Sequence, residues 1–434
     1  MTETLALHGG APVRPSPLNP HGERFGDEEL RLLEEVIRSQ RLNVNSGTKV
    51  HEFERRWAEY LGVRHAVMVT SGTAAIHVAL GALKLEPGSE VITAPITDFG
   101  TIAPILQQLC VPVFADLDPD TLCLDPADVE RRITPRTRAI IPVHLAGNAC
   151  HMDAILAIAR RHRLAVVEDC AQSYNARFAG RPVGTFGDLG CFSLNQYKHI
   201  ACGDGGIVVT DDDELAVRAQ LFSDKAWPRD PGDPSRRDHL FVAPNYRVTE
   251  LQGAVALAQL AKLDGVCARR TAAGDALTAG LDGIPGVRPL RPYPGGVCTY
   301  WFYPFLVAPA IRAEFVRALV AEGIPASAGY VAKPIYLFDV LREKQTFGTS
   351  HFPFGYAPFR PPEGQGEIDY REGLCPVTEE VIIPGMVRLP LNEFWSVDDA
   401  RDAARAIEKV ARHFAATPPT AAAVPPAPAV RALP

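Results

Sequence analysis

The sequence lacks several features that would place it in well-known classes of protein. None of its apolar stretches reaches the ~18 residues that a membrane-spanning helix needs, and its first residues lack the basic region and apolar run of a secretory signal. The 434-residue chain carries a formal net charge of -7 without a block of like charges, so it offers no basic surface for nucleic acid or anionic lipid. We therefore expect a cytoplasmic protein whose partners are small molecules.

The cysteine patterns that would indicate disulfide bonds or a metal centre are also missing. The nine cysteines are an odd number and form no CxxC pair. Four of them lie in or beside apolar runs, where a thiol packs as a small hydrophobic group: Cys123, Cys170, Cys191 and Cys202. The sequence thus predicts neither disulfide bonds nor a metal site.

What is present is the pattern of an α/β protein. Short apolar runs alternate with amphipathic stretches, which is typical of βα units on a mostly parallel sheet between helices. The predicted strands are 66–70, 90–94, 112–116, 139–144, 164–169, 190–194 and 206–210. Helices are predicted to begin near residues 71, 126 and 152, each after a residue that can cap a helix.

The same pattern, with a length of 434 residues, predicts a large domain and a smaller one. Residues 1–24 form an N-terminal segment, 25–265 the large domain, and 266–414 a smaller α+β domain, because the sheet signal fades after residue 250. Within the smaller domain, 347–371 is rich in Gly, Pro and aromatic residues and is predicted to be a long ordered loop or a disordered lid. Residues 415–434 are almost entirely Ala and Pro and are predicted to be a disordered tail.

Asp169 is the first candidate functional residue. It ends the apolar run 164–169 and so lies at the carboxyl end of a predicted buried strand, the edge at which open α/β sheets bind ligands. A buried carboxylate is unfavourable unless it is paired with a cation, such as a protonated ring nitrogen of a cofactor. A helix cap at the end of the strand is an equally good interpretation of this residue alone.

Lys198 lies between a predicted strand and a Gly-rich turn. In that place its amine can be partly desolvated, which lowers its pKa and frees the neutral nucleophile. A lone lysine usually serves only solubility, so its neighbours decide the interpretation.

A candidate phosphate site follows the first predicted strand. Ser71, Gly72 and Thr73 open a helix, whose free N–H groups and positive dipole end suit a phosphate. Gly72 allows close approach of the backbone, and the two hydroxyls and Ser193 add donors, although Ser71 is also an ordinary helix cap. A lysine, a buried acid and phosphate donors are together what catalysis by pyridoxal phosphate (PLP) requires.

Four separated segments carry a resemblance to a known family. They are 168–172 (Glu-Asp-Cys-Ala-Gln), 192–198 (Phe-Ser to Lys), 203–210 (Gly-Asp-Gly-Gly-Ile-Val-Val-Thr) and 245–252 (Asn-Tyr-Arg-Val-Thr-Glu-Leu-Gln). In this order they resemble the DegT/DnrJ/EryC1/StrS aminotransferases, over residues 25–414. The resemblance implies a PLP-dependent transferase of fold type I that aminates keto-sugars, often nucleotide-linked, or keto-cyclitols in antibiotic pathways.

The resemblance also implies roles for individual residues. Lys198 matches the Schiff-base lysine and Asp169 the partner of the pyridine nitrogen. Gln172 matches the residue beside the ring and its phenolic oxygen, while Ser193 and the Gly72–Thr73 backbone match phosphate contacts.

Asn245 matches an asparagine that reaches the phosphate of the neighbouring subunit, so the resemblance implies a homodimer with active sites at the interface. Taken alone, Asn245 would be interpreted as a loop residue that caps local backbone.

One segment departs from the pattern of the family. The usual Pro-x-x-Thr-Phe is here Pro-Ile-Thr-Asp-Phe at 95–99, so Phe99 aligns with the aromatic residue that stacks on the cofactor, and Asp98 replaces the threonine. Asp98 is therefore a candidate for substrate choice. His199, beside the lysine, could contact substrate or pack in the core.

The implied reaction is a ping-pong transamination. Glutamate or glutamine donates the amino group, Lys198 shuttles the proton, and a keto-sugar or keto-cyclitol accepts the nitrogen. One alternative is a PLP-dependent sugar dehydratase of the same fold, which has histidine where the lysine normally lies; His199 would fill that place if the alignment slipped by one. Another is a non-catalytic regulator that binds PLP or a sugar nucleotide.

Overall fold

The computed structural model describes residues 3–229, 238–357, 359–360 and 368–416. Its helices are α1 (Asp27–Ser39), α2 (Lys49–Leu61), α3 (Gly72–Ala82), α4 (Phe99–Gln107), α5 (Pro126–Arg131), α6 (Met152–His162), α7 (Asp213–Ser223), α8 (Glu250–Leu260), α9 (Leu263–Leu281), α10 (Arg312–Ala321), α11 (Asp339–Arg342), α12 (Ile383–Gly385) and α13 (Val397–Ala416). Its strands are β1 (His65–Val69), β2 (Glu90–Thr93), β3 (Val111–Phe114), β4 (Thr137–Ile141), β5 (Ala165–Asp169), β6 (Arg177–Phe178), β7 (Arg181–Pro182), β8 (Leu189–Ser193), β9 (Gly206–Thr210), β10 (Arg288–Pro289), β11 (Tyr303–Leu306), β12 (Ser327–Ala328) and β13 (Met386–Leu389).

The large sheet has seven strands in the order β1-β9-β8-β5-β4-β2-β3. Only β9 runs against its neighbours, because it pairs antiparallel with β1 and β8 while the other pairings are parallel. The seven strands predicted from the apolar runs are these seven, so the predicted mostly parallel mixed sheet is confirmed.

Successive strand residues face opposite sides of this sheet. Val167 and Cys191 pack with α3 and α7 on one face, whereas their neighbours Val166 and Phe192 pack on the other face with Trp57 of α2. The runs are apolar without alternation because helices cover both faces, as expected for a sheet that is largely parallel.

A second, four-stranded antiparallel sheet has the order β10-β11-β13-β12. Helix α9 packs beside α13, and it crosses the predicted domain boundary at 265–266, so the division of the chain into domains stays a prediction. The N-terminal segment lies against this part of the chain, since the backbone N–H groups of Ala6 and Val13 donate to the buried carboxylate of Glu322.

The predicted loop and tail are described only in part. In the segment 347–371, Phe354, Phe359 and Tyr370 are buried against Phe114 and Tyr336, while 358 and 361–367 lie outside the described residues. Of the predicted tail, 415 and 416 end α13, and 417–434 lie outside the described residues. Within the described part of the chain, no helix combines the length and apolarity that crossing a membrane requires.

Candidate active site

The predicted site residues come from chain segments that end at one edge of the large sheet. Asp169 is the last residue of β5 and pairs with Cys191, two positions before Ser193 at the end of β8. Gly206 at the start of β9 pairs with both Ser193 and Val69, the last residue of β1. Because the carboxyl ends of parallel strands share an edge, the sheet brings the acid, the serine and the start of α3 together.

The start of α3 is packed directly against the end of β8. A Cβ atom on Gly72 would lie 2.7 Å from the Cβ of Ser193, and a Cβ on Gly206 would overlap the carbonyl oxygen of Ser71. The Ser71 hydroxyl accepts a hydrogen bond from the backbone N–H of Ala74 at 3.0 Å, so this serine is the N-cap of α3. The result is a cradle, defined by Ser71, Gly72 and Ser193, at the N-terminus of a helix, whose first N–H groups suit an anion.

Thr73 and the start of α4 lie beside this cradle. A Cβ on Gly100 would be 2.5 Å from the Thr73 hydroxyl oxygen and 2.8 Å from a carboxylate oxygen of Asp98. Asp98 is exposed and caps α4 by accepting a hydrogen bond from Gly100 N at 2.7 Å. Phe99 is half-buried as the first residue of α4.

Lys198 lies in the turn between β8 and β9 and is 9% exposed. Its ammonium nitrogen is 3.8 Å from the ring centroid of Trp301, a cation–π contact. Burial lowers the pKa of Lys198 to about 8, against the opposing charges of Asp169 and Asp98. Near neutral pH a much larger fraction of this amine is therefore neutral than in an exposed lysine, and the neutral form is the nucleophile.

Asp169 is buried and close enough to Lys198 for each charge to affect the pKa of the other. Burial raises the pKa of Asp169, although hydrogen bonds from the Thr101 hydroxyl at 2.8 Å and from Ala171 N at 3.1 Å oppose that change. The residues after Asp169 form turns, so the alternative of a helix cap is wrong. A buried carboxylate of this kind fits a cationic ring nitrogen.

The neighbouring Glu168 faces the opposite side of β5 and belongs to the core. Its two carboxylate oxygens accept hydrogen bonds from Gly184 N, Phe186 N and Gly187 N at 2.6–2.8 Å, and from the ring of His144 at 3.0 Å. Ligand atoms of His144, Glu168 and Cys170 lie within 4.8 Å of one another. Because both carboxylate oxygens of Glu168 are already hydrogen-bonded within the fold, we assign this cluster a structural role next to Asp169 at the sheet edge.

Gln172 is buried next to the acid. Its side-chain oxygen accepts a hydrogen bond from Ala146 N at 2.9 Å, and its amide nitrogen donates to the hydroxyl of Tyr330 at 3.5 Å. Tyr330 and Trp301 come from the region after residue 265, and nothing in the sequence patterns singled them out. Their rings meet edge to face, 5.7 Å apart at the centroids.

Two further residues named from the sequence lie elsewhere. His199 is fully buried, and its Nε2–H donates to the carbonyl oxygen of Thr299 at 3.1 Å. Burial holds the pKa of His199 well below its ordinary value, so the ring is a neutral core group. Asn245 is exposed on the loop before α8 and accepts a hydrogen bond from Arg247 N at 3.3 Å, as a local cap does.

Arg24, at the end of the N-terminal segment, fixes the backbone of the lysine turn. Its guanidinium donates to the carbonyl oxygens of Gln196, Lys198 and His199, and it also pairs with Glu393 at 2.9 Å. The sequence analysis missed this residue because a single arginine in an irregular segment carries no pattern.

A mostly parallel α/β sheet with a buried lysine, a buried acid and a helix-end cradle at its carboxyl edge is typical of PLP-dependent enzymes. Comparison with known proteins defines the family. The chain belongs to the DegT/DnrJ/EryC1/StrS aminotransferase family, whose model matches residues 23–355, and it is an aminotransferase.

Two relatives and one solved structure illustrate the similarity. The chain is 40% identical to a proposed L-glutamine:3-amino-2,3-dideoxy-scyllo-inosose aminotransferase of Streptoalloteichus tenebrarius, over 75% of this chain and 79% of the relative. It is 34% identical to the L-glutamine:2-deoxy-scyllo-inosose aminotransferase of Streptomyces kanamyceticus, over 95% and 97%. The structure of 3-amino-5-hydroxybenzoic acid synthase superposes with a TM-score of 0.79 at 28% identity, covering 92% of this chain and all of that one.

Proposed function

We propose that this enzyme uses PLP bound at Lys198 to transfer an amino group from L-glutamine or L-glutamate to a keto-cyclitol or a keto-sugar. The observation that carries the proposal is the buried pair of Lys198 and Asp169 beside the cradle of Ser71, Gly72 and Ser193. The choice of substrates is supported by the relatives, whose names specify L-glutamine as donor and an inosose as acceptor.

The residues present fit the cofactor. The cradle suits its phosphate, because Gly72 lets the N-terminus of α3 approach Ser193 so closely that a Cβ would lie 2.7 Å from the Ser193 Cβ, which brings helix N–H groups and the serine hydroxyl together. Asp169 suits the protonated ring nitrogen, and Gln172 and Phe99 are proposed to contact the ring. When bound, PLP supplies an electron sink that stabilises the carbanion left by loss of the α-proton.

Lys198 is proposed to have two tasks. Its neutral amine would attach the cofactor covalently. After the amino donor displaces it, the same nitrogen would accept the α-proton of the donor and pass it to the cofactor, and in the acceptor half it would move a proton in the reverse direction. Burial of this nitrogen lowers its pKa and so favours the neutral form.

We further propose that the active form is a homodimer in which Asn245 completes the site of the partner subunit. Its exposure is consistent with a position at an interface. Mixing Lys198→Ala and Asn245→Ala subunits tests this proposal. In a mixed dimer one site combines both intact residues, so activity should return, whereas no recovery after subunit exchange would contradict shared sites.

The function is tested by measuring the donor and the acceptor half-reactions separately. Protein loaded with PLP should convert to the pyridoxamine form with L-glutamine or L-glutamate, and the pyridoxamine form should be converted back by an inosose or a keto-sugar. Lys198→Ala should abolish both, and the exposed Lys84, which pairs with Glu214, provides the matched control Lys84→Ala. Loss of water from the sugar without new C–N bonds would instead indicate a dehydratase, and binding without any conversion a regulator.

A further inference from the structure

Within the described part of the chain, one arginine combines a buried Nε that lacks a hydrogen-bond partner with the absence of an ion pair. Arg388 of β13 is half-buried, and its Nε is a buried donor without a hydrogen-bond partner. Among the described residues no carboxylate forms an ion pair with it, and burial lowers its pKa. A desolvated guanidinium without an anion is unfavourable, so this arrangement is expected of a group that receives its anion from a ligand.

Three aromatic rings connect Arg388 to the catalytic lysine. The guanidinium lies 5.3 Å from the ring centroid of Phe302, which stacks on Tyr330 at 5.4 Å. Tyr330 meets Trp301 edge to face, and the ring of Trp301 lies 3.8 Å from the Lys198 nitrogen. We call Trp301, Tyr330 and Phe302 the aromatic wall; it links Arg388 to the lysine through an unbroken series of ring contacts.

Tyr330 also shows that Arg388 is electrostatically part of the site. Burial raises the pKa of the Tyr330 hydroxyl, the charges of Asp98 and Asp169 raise it further, and the charge of Arg388 lowers it. The charges of the two acids and of Arg388 thus all act on this hydroxyl, which also accepts a hydrogen bond from the Gln172 amide at 3.5 Å. The acids repel a carboxylate, and Arg388 is the cation at the far end of the wall that can attract one.

We propose that Arg388 binds the α-carboxylate of the amino donor. This inference rests on the proposed function, and it specifies the donor as a free α-amino acid held by a planar guanidinium. The fork of an arginine matches a carboxylate with two parallel hydrogen bonds, and the ring of Phe302 lies 5.3 Å from this guanidinium. Arg388 is in this account a donor-binding residue that the acceptor half of the cycle does not need.

The test compares the two half-reactions in Arg388→Met, Arg388→Lys and a control. Arg312→Met is the matched control, since Arg312 is another partly buried arginine without an ion pair in the described chain, but it donates to the carbonyl oxygen of Ile383 at 2.6 Å. In Arg388→Met, KM for L-glutamine in the donor half should rise by about 30-fold or more, as expected for loss of one partner of a buried charge pair. The rate of the acceptor half with the pyridoxamine form should stay within about threefold.

An amino donor without a charged α-carboxylate measures the contribution of that group alone. Wild-type protein should strongly prefer L-glutamine to its α-carboxamide, and in Arg388→Met this preference should disappear. Arg388→Lys should recover part of it, because it keeps the charge without the planar fork. A selective loss in the acceptor half would overturn the proposal in favour of an anionic acceptor, and unchanged kinetics in both halves would reduce Arg388 to a packing role.

A binding measurement separates this inference from the proposed function. Glutaramate, which is glutamine without its amino group, should bind wild-type protein in calorimetry and bind Arg388→Met about 30-fold or more weakly. If no donor or acceptor is converted but this difference is seen, the proposed function fails and the carboxylate site stands. If conversion occurs but glutaramate binds both proteins equally, the carboxylate site fails and the function stands.

Discussion

Replacing Gly72 by alanine tests the cradle at the start of α3. The added Cβ would lie 2.7 Å from the Cβ of Ser193 and 3.1 Å from its hydroxyl oxygen, closer than carbon atoms approach without a shift. Helix α3 and strand β8 would therefore have to separate by roughly 1 Å, and overpacking of this kind costs about 1–3 kcal/mol. A displacement of that size is also sufficient to reduce catalysis by about two orders of magnitude.

Gly265 provides the matched control for this substitution. It also lies in the first turn of a helix, α9, but it is exposed, and a Cβ there would meet only the mobile end of Arg269 at 3.3 Å. Gly265→Ala should be neutral or stabilising by up to about 1 kcal/mol, since alanine favours helices. The free energy of unfolding of Gly72→Ala should be about 1–3 kcal/mol lower than that of the control.

The cofactor arm of the same experiment measures the phosphate contribution directly. Wild-type protein should bind PLP much more tightly than pyridoxal, which lacks the phosphate. Gly72→Ala should reduce the ratio of these two affinities, whereas Gly265→Ala should leave it unchanged. If Gly72→Ala preserves both the stability and this affinity ratio, the reasoning that places the phosphate at the cradle of Ser71, Gly72 and Ser193 is refuted.

Three further predictions follow from the pKa shifts and burial in the site. Asp169→Asn should keep PLP attached and lower turnover by about two to three orders of magnitude. The reason is that an opposite charge about 4 Å from the protonated ring nitrogen contributes about 4 kcal/mol in a protein environment. Single-turnover rates near those of wild-type protein would contradict this prediction. Uptake of PLP by cofactor-free protein should rise with pH through a midpoint near the Lys198 pKa of about 8, where half of the amine is neutral, and should level off only well above that pH. Asp98→Asn should move this profile to lower pH, because it removes a charge that raises the lysine pKa. His199→Gln should lower thermal stability, since it disturbs a buried hydrogen bond to Thr299 worth about 1 kcal/mol. The variant should still attach PLP. Loss of PLP attachment without loss of stability would indicate instead that His199 acts in the active site.

The sequence was sufficient to predict the large sheet and the residues at its edge. Strands that are covered on both faces appear as continuous apolar runs, and a residue at the carboxyl end of such a run must lie at the ligand-binding edge. Asp169 was found for this reason, Ser193 was named from its place shortly before Lys198, and the cradle followed from a glycine at the start of a helix. The helix-cap alternative for Asp169 failed because a tight turn follows β5, which no periodicity indicates.

The aromatic wall and Arg388 could not be predicted. Trp301 lies more than 100 residues after Lys198 in the chain, and their contact depends on how the four-stranded sheet packs against the lysine turn. An isolated arginine in a strand is ordinary. Arg136 and Arg247 also have a buried Nε without a hydrogen-bond partner, but each forms an ion pair, and only the lack of a described carboxylate partner distinguishes Arg388 from them. The role of Asn245 remains a prediction for a physical reason as well, since a residue that acts across an interface is merely exposed in one subunit.

The central claim is that the buried amine of residue 198 carries the cofactor. Reduction of the PLP-loaded protein with borohydride, followed by proteolysis and mass spectrometry, identifies the modified lysine directly. The account predicts a single pyridoxyl group on Lys198 in wild-type protein and none in Lys198→Ala. Attachment at another lysine, or undiminished attachment in Lys198→Ala, would contradict it.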